Sequence, residues 1–317
     1  MRQKKLVKHV KVYRSLIEFS TLKNAVVTSG TFDGVHLGHQ KIISRLLETA
    51  KETDGESVVI TFWPHPRLIV SPNRDDLRLL SNLDEKIELL GNLGVDHLLV
   101  LPFTREFSEL SSEKFVEDIL ISGIGTKTLV IGYDHRFGKN REGGFDYLKN
   151  NSERFKLNIV EIPRQEIDHL TISSTKIRQA LQNGEIKVAD ELLGRNYSFQ
   201  GLVKKGRQLG RQIGFPTANV NVGKKYKLIP IIGVYAVKVF LRNESFLGVM
   251  NIGSRPTVEG HGITQEVHIF DFDDDIYGEI LKVETVDYIR TEMKFEGMES
   301  LIQQIKMDCV KAKLILS

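Results

Sequence analysis

Residues 28–40 read T-S-G-T-F-D-G-V-H-L-G-H-Q and follow an apolar run, Ala25-Val26-Val27. Downstream, Ile42, Ile43, Leu46, Leu47 and Ala50 repeat at helical spacing. The combination reads as strand, glycine turn and helix. Gly30, Gly34 and Gly38 let the backbone turn tightly and come close to a ligand. The helix N-terminus beyond them offers unpaired N–H groups and partial positive charge to a phosphate. His36 and His39 stand three apart, so one helical turn can present both imidazoles to the same anion. Two histidines without a third ligand nearby do not make a metal site. They suit nucleotidyl transfer, where imidazoles and helix N–H groups stabilise charge on the α-phosphate and the leaving pyrophosphate. A helix cap with surface histidines is the plainer alternative for either one alone.

Working outward, strand-like runs at Ala25–Val27, Val58–Phe62, Leu98–Leu101, Leu129–Ile131 and Asn158–Ile162 alternate with helical stretches near 36–52, 83–93, 111–121 and 144–154. Such alternation predicts a parallel sheet with helices on both faces, binding ligands beyond the strand carboxyl ends where strand order reverses. The chemistry-bearing residues fall at those ends. Phe62-Trp63-Pro64-His65-Pro66-Arg67 follows the second run, either a platform for a flat ring and a phosphate or a stiff connector. Residues 132–143, G-Y-D-H-R-F-G-K-N-R-E-G, crowd an acid, several bases and three glycines after the fourth. Ile172-Ser173-Ser174-Thr175-Lys176-Ile177-Arg178 opens a further helix, with Ser173 or Ser174 as N-cap and Arg178 one turn inside, within reach of a phosphate.

Beyond Gly184 the pattern changes. Short runs near 197–204, 232–240, 245–252, 265–271 and 279–289 lack intervening helices, which predicts an antiparallel barrel or sandwich. A final helix from about Glu299 should bury Leu301, Ile302, Ile305, Cys309 and Val310. The domain boundary is expected near 184–187. Residues 206–219, G-R-Q-L-G-R-Q-I-G-F-P-T-A-N, could form a flap over phosphates, with Thr217 and Asn219 offering oxygens to Mg²⁺. No G-K-[ST] follows its glycines, so it is not a Walker A loop. In Glu266-Val267-His268-Ile269, alternation puts Glu266 and His268 on one face, either as a held base or as a solvated edge.

The chain has 317 residues, 41% hydrophobic and 27% charged, which suits two soluble domains. Net charge is +3, too small to indicate a nucleic-acid partner. Basic residues bunch at Arg2, Lys4, Lys5, Lys8, Lys11 and Arg14, but no signal-length apolar core follows. Val10, Val12 and Leu16 instead predict an edge strand with a solvated basic face. No run approaches a membrane span. The single cysteine, Cys309, excludes an intrachain disulfide, and a cytoplasmic protein is expected.

These motifs together resemble the prokaryotic bifunctional riboflavin kinase/FMN adenylyltransferase (FAD synthetase) family, from about Asn24 to the C-terminal helix. G-T-F-D-G-V-H-L-G-H, P-H-P-R, G-Y-D-H-R-F-G and I-S-S-T-K-I-R are similar to its adenylyltransferase half. G-F-P-T-A-N, N-I-G-S-R-P-T, E-V-H-I-F-D-F and D-D-D-I-Y-G are similar to its kinase half, and that series is the specific part. An H-x-G-H turn also occurs in tRNA-charging enzymes, but no K-M-S-K-S segment accompanies it here.

The resemblance implies a Rossmann-like nucleotidyltransferase domain over 1–185 and an antiparallel β-barrel kinase domain over 186–317. It implies ATP as co-substrate, Mg²⁺, and riboflavin, FMN and FAD as substrates and products, in a monomer or weakly self-associating protein. Glu266 would be the kinase base, with Thr217 and Asn219 on Mg²⁺ and phosphates beneath a flap carrying Gly210 and Gly214. The Asn251–Thr257 loop and Arg290 would close over flavin or nucleotide. His36 and His39 would stabilise adenylyl transfer, with Gly30, Phe32, Asp33, Gly34, Gly38, Ser174, Thr175 and Arg178 around the nucleotide. Phe62, Pro64, His65, Pro66 and Asp134 would lie towards the flavin. One departure stands out: the family often has an aromatic where this chain has His135.

Overall fold

The computed structural model describes residues 10–71, 77–163, 172–206, 208–223, 225–257 and 260–317. The expectations for Arg2, Lys4, Lys5, Lys8 and Arg207 lie outside the described residues. The chain packs into two compact units, 1–174 and 175–317.

In the first unit the strands are β1 (Lys11–Tyr13), β2 (Ala25–Ser29), β3 (Glu56–Trp63), β4 (His97–Pro102), β5 (Thr126–Gly132) and β6 (Asn158–Ile162). They form one parallel sheet in the order β1-β4-β3-β2-β5-β6. Strand order reverses between β2 and β5, so the crevice expected of such sheets opens where these two strands end.

Alternation along the strands explains the two cores. Ala25, Val27, Val58, Ile60, Leu99 and Ile131 face one side, against the π-helical Phe115–Ile124. Val26, Val59, Leu98, Val100 and Val130 face the other, against α1 (Leu37–Glu52) and α3 (Leu83–Asn92). Each fully buried aliphatic side chain contributes about 1.5–3 kcal/mol, so two filled faces fix the register. Short helices α2 (Pro66–Val70), α4 (Arg105–Ser108), α5 (Ser112–Lys114), α6 (Phe145–Asn150) and α7 (Ser152–Phe155) complete the unit. The edge strand is shorter than its pattern: Val10 and Val12 pack on one core and Leu16, beyond the strand, on the other.

The second unit begins with α8 (Ser174–Asn183), most of which it contains, and α9 (Ile186–Leu193). β7 (Tyr197–Lys204), α10 (Leu209–Gln212), β8 (Ala218–Asn221), β9 (Gly233–Leu241), β10 (Glu244–Thr257), β11 (Gly260–Ile269), β12 (Ile280–Arg290) and α11 (Met298–Leu316) follow. The six strands close into an antiparallel barrel, so the barrel-or-sandwich alternative resolves to a barrel. Tyr235, Val237, Val239, Met250, Ile252, Val267, Leu281 and Val283 are buried within it.

Three expectations are corrected here. Residues 251–257 form strand, not a closing loop, because β10 and β11 pair continuously to Thr257↔Gly260. Ala218 and Asn219, read as the end of the flap stretch, instead open the strand β8 (Ala218–Asn221), which pairs with β7 and β11 in the barrel. On α11, Val310 is 60% exposed, whereas Asp308 and Ala312 are buried. The helix turns its seam so that Asp308 meets Arg290, with Cys309, Ile315 and Leu316 packing alongside.

Candidate functional site

At the end of β2 the chain enters the Gly30–His39 turn. Gly34 takes φ +80, and Phe32 and Val35 also take positive φ, 47 and 41. Such angles are costly for a β-branched or bulky residue and persist only where surrounding bonds over-determine them. Those bonds are present. The buried Asp33 carboxylate accepts from the backbone N–H groups of Leu80 (3.2 Å) and Ser81 (3.0 Å), and Ser81 Oγ accepts from Gly34 N (3.0 Å). Asp33, expected beside the nucleotide, thus spends its carboxylate shaping the turn.

His36 is the N-cap of α1, its Nδ1 accepting from His39 N at 3.3 Å. Its ring lies parallel to that of His39, with centroids 3.6 Å apart and planes 15° apart. Phe32 meets His39 edge to face at 5.2 Å. The motif therefore builds a stacked imidazole pair on the first turn of α1, where the helix N–H groups converge. Gly38 is buried in that turn. Ser174 Oγ donates to the Asp33 carbonyl (3.1 Å), which brings Ser174 onto the same turn. Thr175 and Arg178 continue the helix that Ser174 opens.

The loop after β3 is mostly structural in its contacts. His65 is buried and caps α2, accepting from Arg67 N at 3.2 Å. Phe62 packs into an aromatic cluster with Phe103 and Phe107, centroids 5.8 and 5.7 Å away. Pro64 is exposed, and Pro66 begins α2. After β5, Asp134 is exposed at the loop tip while Phe137 is buried against Phe115. His135 is hydrogen-bonded through Nε2 to Ser29 Oγ (3.2 Å), tying the β5 loop to the end of β2. Burial, aided by Arg136 and Arg141, pushes its pKa down to about 4, so the ring is neutral at pH 7. A neutral imidazole can thus occupy an aromatic's place.

One residue escaped the sequence reading. Lys86 of α3 is buried, and its Nζ donates to the Thr31 carbonyl at 2.6 Å. A lysine on the inner face of an amphipathic helix was the available signal.

In the barrel, Glu266 of β11 is opposite Asn219 of β8 and Asn251 of β10. Directly opposed antiparallel residues share a face, so the three form a row across neighbouring strands. Val267 and Ile269 are buried on the other face, as the alternation required. His268, on the Glu266 face, makes a 2.8 Å hydrogen bond with the Pro216 carbonyl. Gly206 backs onto Asn219: a Cβ there would lie 2.4 Å from the amide nitrogen. Gly210 is equally constrained, since a Cβ would lie 2.3 Å from the Phe215 carbonyl. Gly214 takes φ +84. A cleft is lined by Gln208, Arg211, Thr217, Asp273, Asp275 and Tyr277, together with Val267 and Ile269. Thr217 lines it, whereas Asn219 and Glu266 lie on the strand face opposite to that of Ala218 and Val267. Arg290 is committed elsewhere: Nε and Nη2 donate to the Asp308 carboxylate at 2.9 and 2.7 Å, and Nη1 to the Thr291 carbonyl.

The family model for FAD synthetase matches residues 18–176, and the model for riboflavin kinase matches residues 193–316. The chain belongs to the bifunctional riboflavin kinase/FMN adenylyltransferase family. It is an enzyme with both activities, riboflavin kinase and FMN adenylyltransferase. Its relatives named bifunctional riboflavin kinase/FMN adenylyltransferase include one from Listeria monocytogenes, 41% identical with 90% of each chain covered. Another, from Haemophilus influenzae, is 42% identical over 92% of this chain and 94% of that one. The crystal structure of a macrolide-efflux protein from Streptococcus pneumoniae is similar throughout, with a TM-score of 0.86 at 33% identity, covering 95% of this chain and 97% of that one. Among the described residues, no helix here is long and apolar enough to cross a membrane.

Proposed function

We propose that this bifunctional riboflavin kinase/FMN adenylyltransferase carries its two reactions on separate residue sets, the Gly30–His39 turn for adenylyl transfer and the Asn219–Glu266 row for phosphorylation. In the first reaction, an FMN phosphate oxygen attacks the α-phosphate of ATP, the bond to the bridging oxygen breaks, and pyrophosphate leaves. The phosphate nucleophile is already ionised near neutral pH, so the protein's part is alignment and charge stabilisation. His36, His39 and the α1 N–H groups face the charge that builds. Ser174, Thr175 and Arg178 hold phosphates, and the Phe62–Pro66 and Asp134 loops border the flavin.

In the second reaction, Glu266 takes the proton of the ribityl 5′-hydroxyl as that oxygen attacks the γ-phosphate and ADP departs. Thr217 and Asn219 supply hard oxygen donors, which fit Mg²⁺ shared with ATP phosphates and water. When bound, Mg²⁺ neutralises phosphate charge. Gly210 and Gly214 lie in the segment over the phosphates. We place the functional boundary near residue 185 and the protein in the cytoplasm, as a monomer or weak self-associate with small-molecule partners, not nucleic acid or membrane.

The observation that carries this reading is that Glu266 stands in register with both Asn219 and Asn251, so that a carboxylate and two amides share one face of three neighbouring strands. The test is chromatographic assay of flavin products with MgCl₂ and ATP, started separately from riboflavin and from FMN. Wild-type protein should form FAD from both. Glu266→Ala should block only the riboflavin start, and a His36/His39 double alanine only the adenylyl step. Unchanged riboflavin turnover in Glu266→Ala would remove Glu266 from the mechanism.

A further inference from the structure

We propose that Lys86 is a positioning residue for adenylyl transfer, clamping the Gly30–His39 turn through the Thr31 carbonyl while holding a buried cation at the root of that turn. The inference rests on the assignment of that turn to the adenylyl step.

Lys86 lies on the inner face of α3 and is 1% exposed. An ammonium group in that position is costly unless it is fully engaged, and an apolar side chain would fill the space without the cost. The cation is engaged with the turn. Nζ donates to the Thr31 carbonyl at 2.6 Å and lies 3.3 Å from Thr61 Oγ1. Thr61 Oγ1 donates to the same carbonyl at 3.2 Å. One carbonyl, between Gly30 and the positive-φ Phe32, thus receives two donors, from α3 and from the end of β3. The Trp63 ring centroid is 5.9 Å from Nζ, in cation–π range.

The turn needs such clamping, because two non-glycine residues hold unfavourable φ angles within four positions. Asp33 fixes it through Leu80 and Ser81, and Lys86 fixes the residue two before. Asp33 is also the charged group that acts on Lys86; Thr31, Thr61 and Trp63 are neutral. Burial lowers the Lys86 pKa to about 8, with Asp33 opposing that shift. The cation is therefore present at neutral pH and lost in mildly alkaline solution.

The test is Lys86→Met in the full chain, assayed for FAD formation from FMN, with riboflavin phosphorylation as an internal control. Misplacing reacting groups by about 1 Å can cost on the order of 100-fold, so adenylyl kcat should fall about 10- to 100-fold while the kinase rate is unchanged. The KM for FMN should move little. The wild-type adenylyl rate should decline as pH rises through about 8, and that limb should be absent in Lys86→Met. A purely space-filling lysine would leave kcat and the pH limb as they are. Urea unfolding followed by fluorescence of Trp63, the single tryptophan, reports whether the first unit is folded. Should Lys86→Met not fold, Thr61→Val removes the companion donor and should lower kcat about 3- to 10-fold. Wild-type adenylyl kcat in the folded variant overturns the proposal. His39→Ala run in parallel separates the two ideas: its inactivity beside an active Lys86→Met sinks this inference alone, while full activity of His39→Ala sinks the assignment of the turn.

Discussion

Asn219 and Glu266 stand directly opposite one another on β8 and β11, so the residue expected to bind metal shares a strand face with the residue expected to act as base. The relationship makes a selective prediction. Asn219→Leu keeps the strand pairing but removes the amide, so the riboflavin start should slow about 100-fold or more. FAD formation from FMN should keep its rate. Product chromatography from the two starting flavins reads both, and equal losses would point to general misfolding instead.

The Arg290–Asp308 pair anchors the terminal helix to the barrel. Side-chain exposures are 19% and 6%, and the contact is made by two guanidinium nitrogens. Removing one partner of such a buried pair costs about 3–5 kcal/mol, because the other charge is left without its counter-ion. Asp308→Ala should lower the urea midpoint of the second unit accordingly, followed by far-ultraviolet circular dichroism. A loss below about 1 kcal/mol would mean that the helix is held by Ala312 and its apolar neighbours alone.

Asp190 of α9 carries a pH-dependent liability. Burial raises its pKa to about 7, opposed by the hydrogen bond from Tyr197 N (2.7 Å) and reinforced by Glu284. The native state keeps this proton between about pH 4 and 7 while the unfolded chain loses it. Stability should therefore fall as pH rises across that window and level off above it. Asp190→Asn retains an acceptor for Tyr197 and should flatten this part of the curve in thermal melts taken from pH 4 to 8.

His135 should act in the opposite direction. Its pKa lies near 4 in the folded protein against 6.5 for a free imidazole, so the unfolded chain binds the extra proton first. Stability should rise between about pH 4 and 6.5 and be lost as the solution is acidified. His135→Phe, which replaces the imidazole with an aromatic ring, should remove that acid sensitivity while forfeiting the bond to Ser29. Trp63 fluorescence melts across the window would show it, and identical slopes for both proteins would refute the account.

Much of this protein was legible without coordinates, and the reasons are local. The β-α alternation from Ala25 to Ile162 set a parallel sheet, since a strand buried on both faces must be apolar throughout. The spacing of His36, Gly38 and His39 placed both imidazoles on the first turn of a helix, because strand end and helix N-terminus are covalently adjacent. Alternation in Glu266–Ile269 correctly separated the buried from the outward face.

Other features depended on partners distant in the chain. Sequence gave no sign that β8 would form from Ala218–Asn221, because a four-residue strand is stabilised by β7 and β11, not by its own pattern. The continuation of β10 to Thr257 likewise needed β11 as its ladder. Val310 was expected inside but is exposed, and Asp308 is buried instead; Arg290, eighteen residues earlier, supplies the counter-ion to that buried acid. Asp33 and Lys86 were fixed the same way, by Ser81 and Thr31 across 48 and 55 positions. Periodicity and motif spacing determined which chemistry the chain carries. Which polar side chains hold the scaffold was decided by tertiary structure, because desolvated charges are settled only by the partners that folding brings to them.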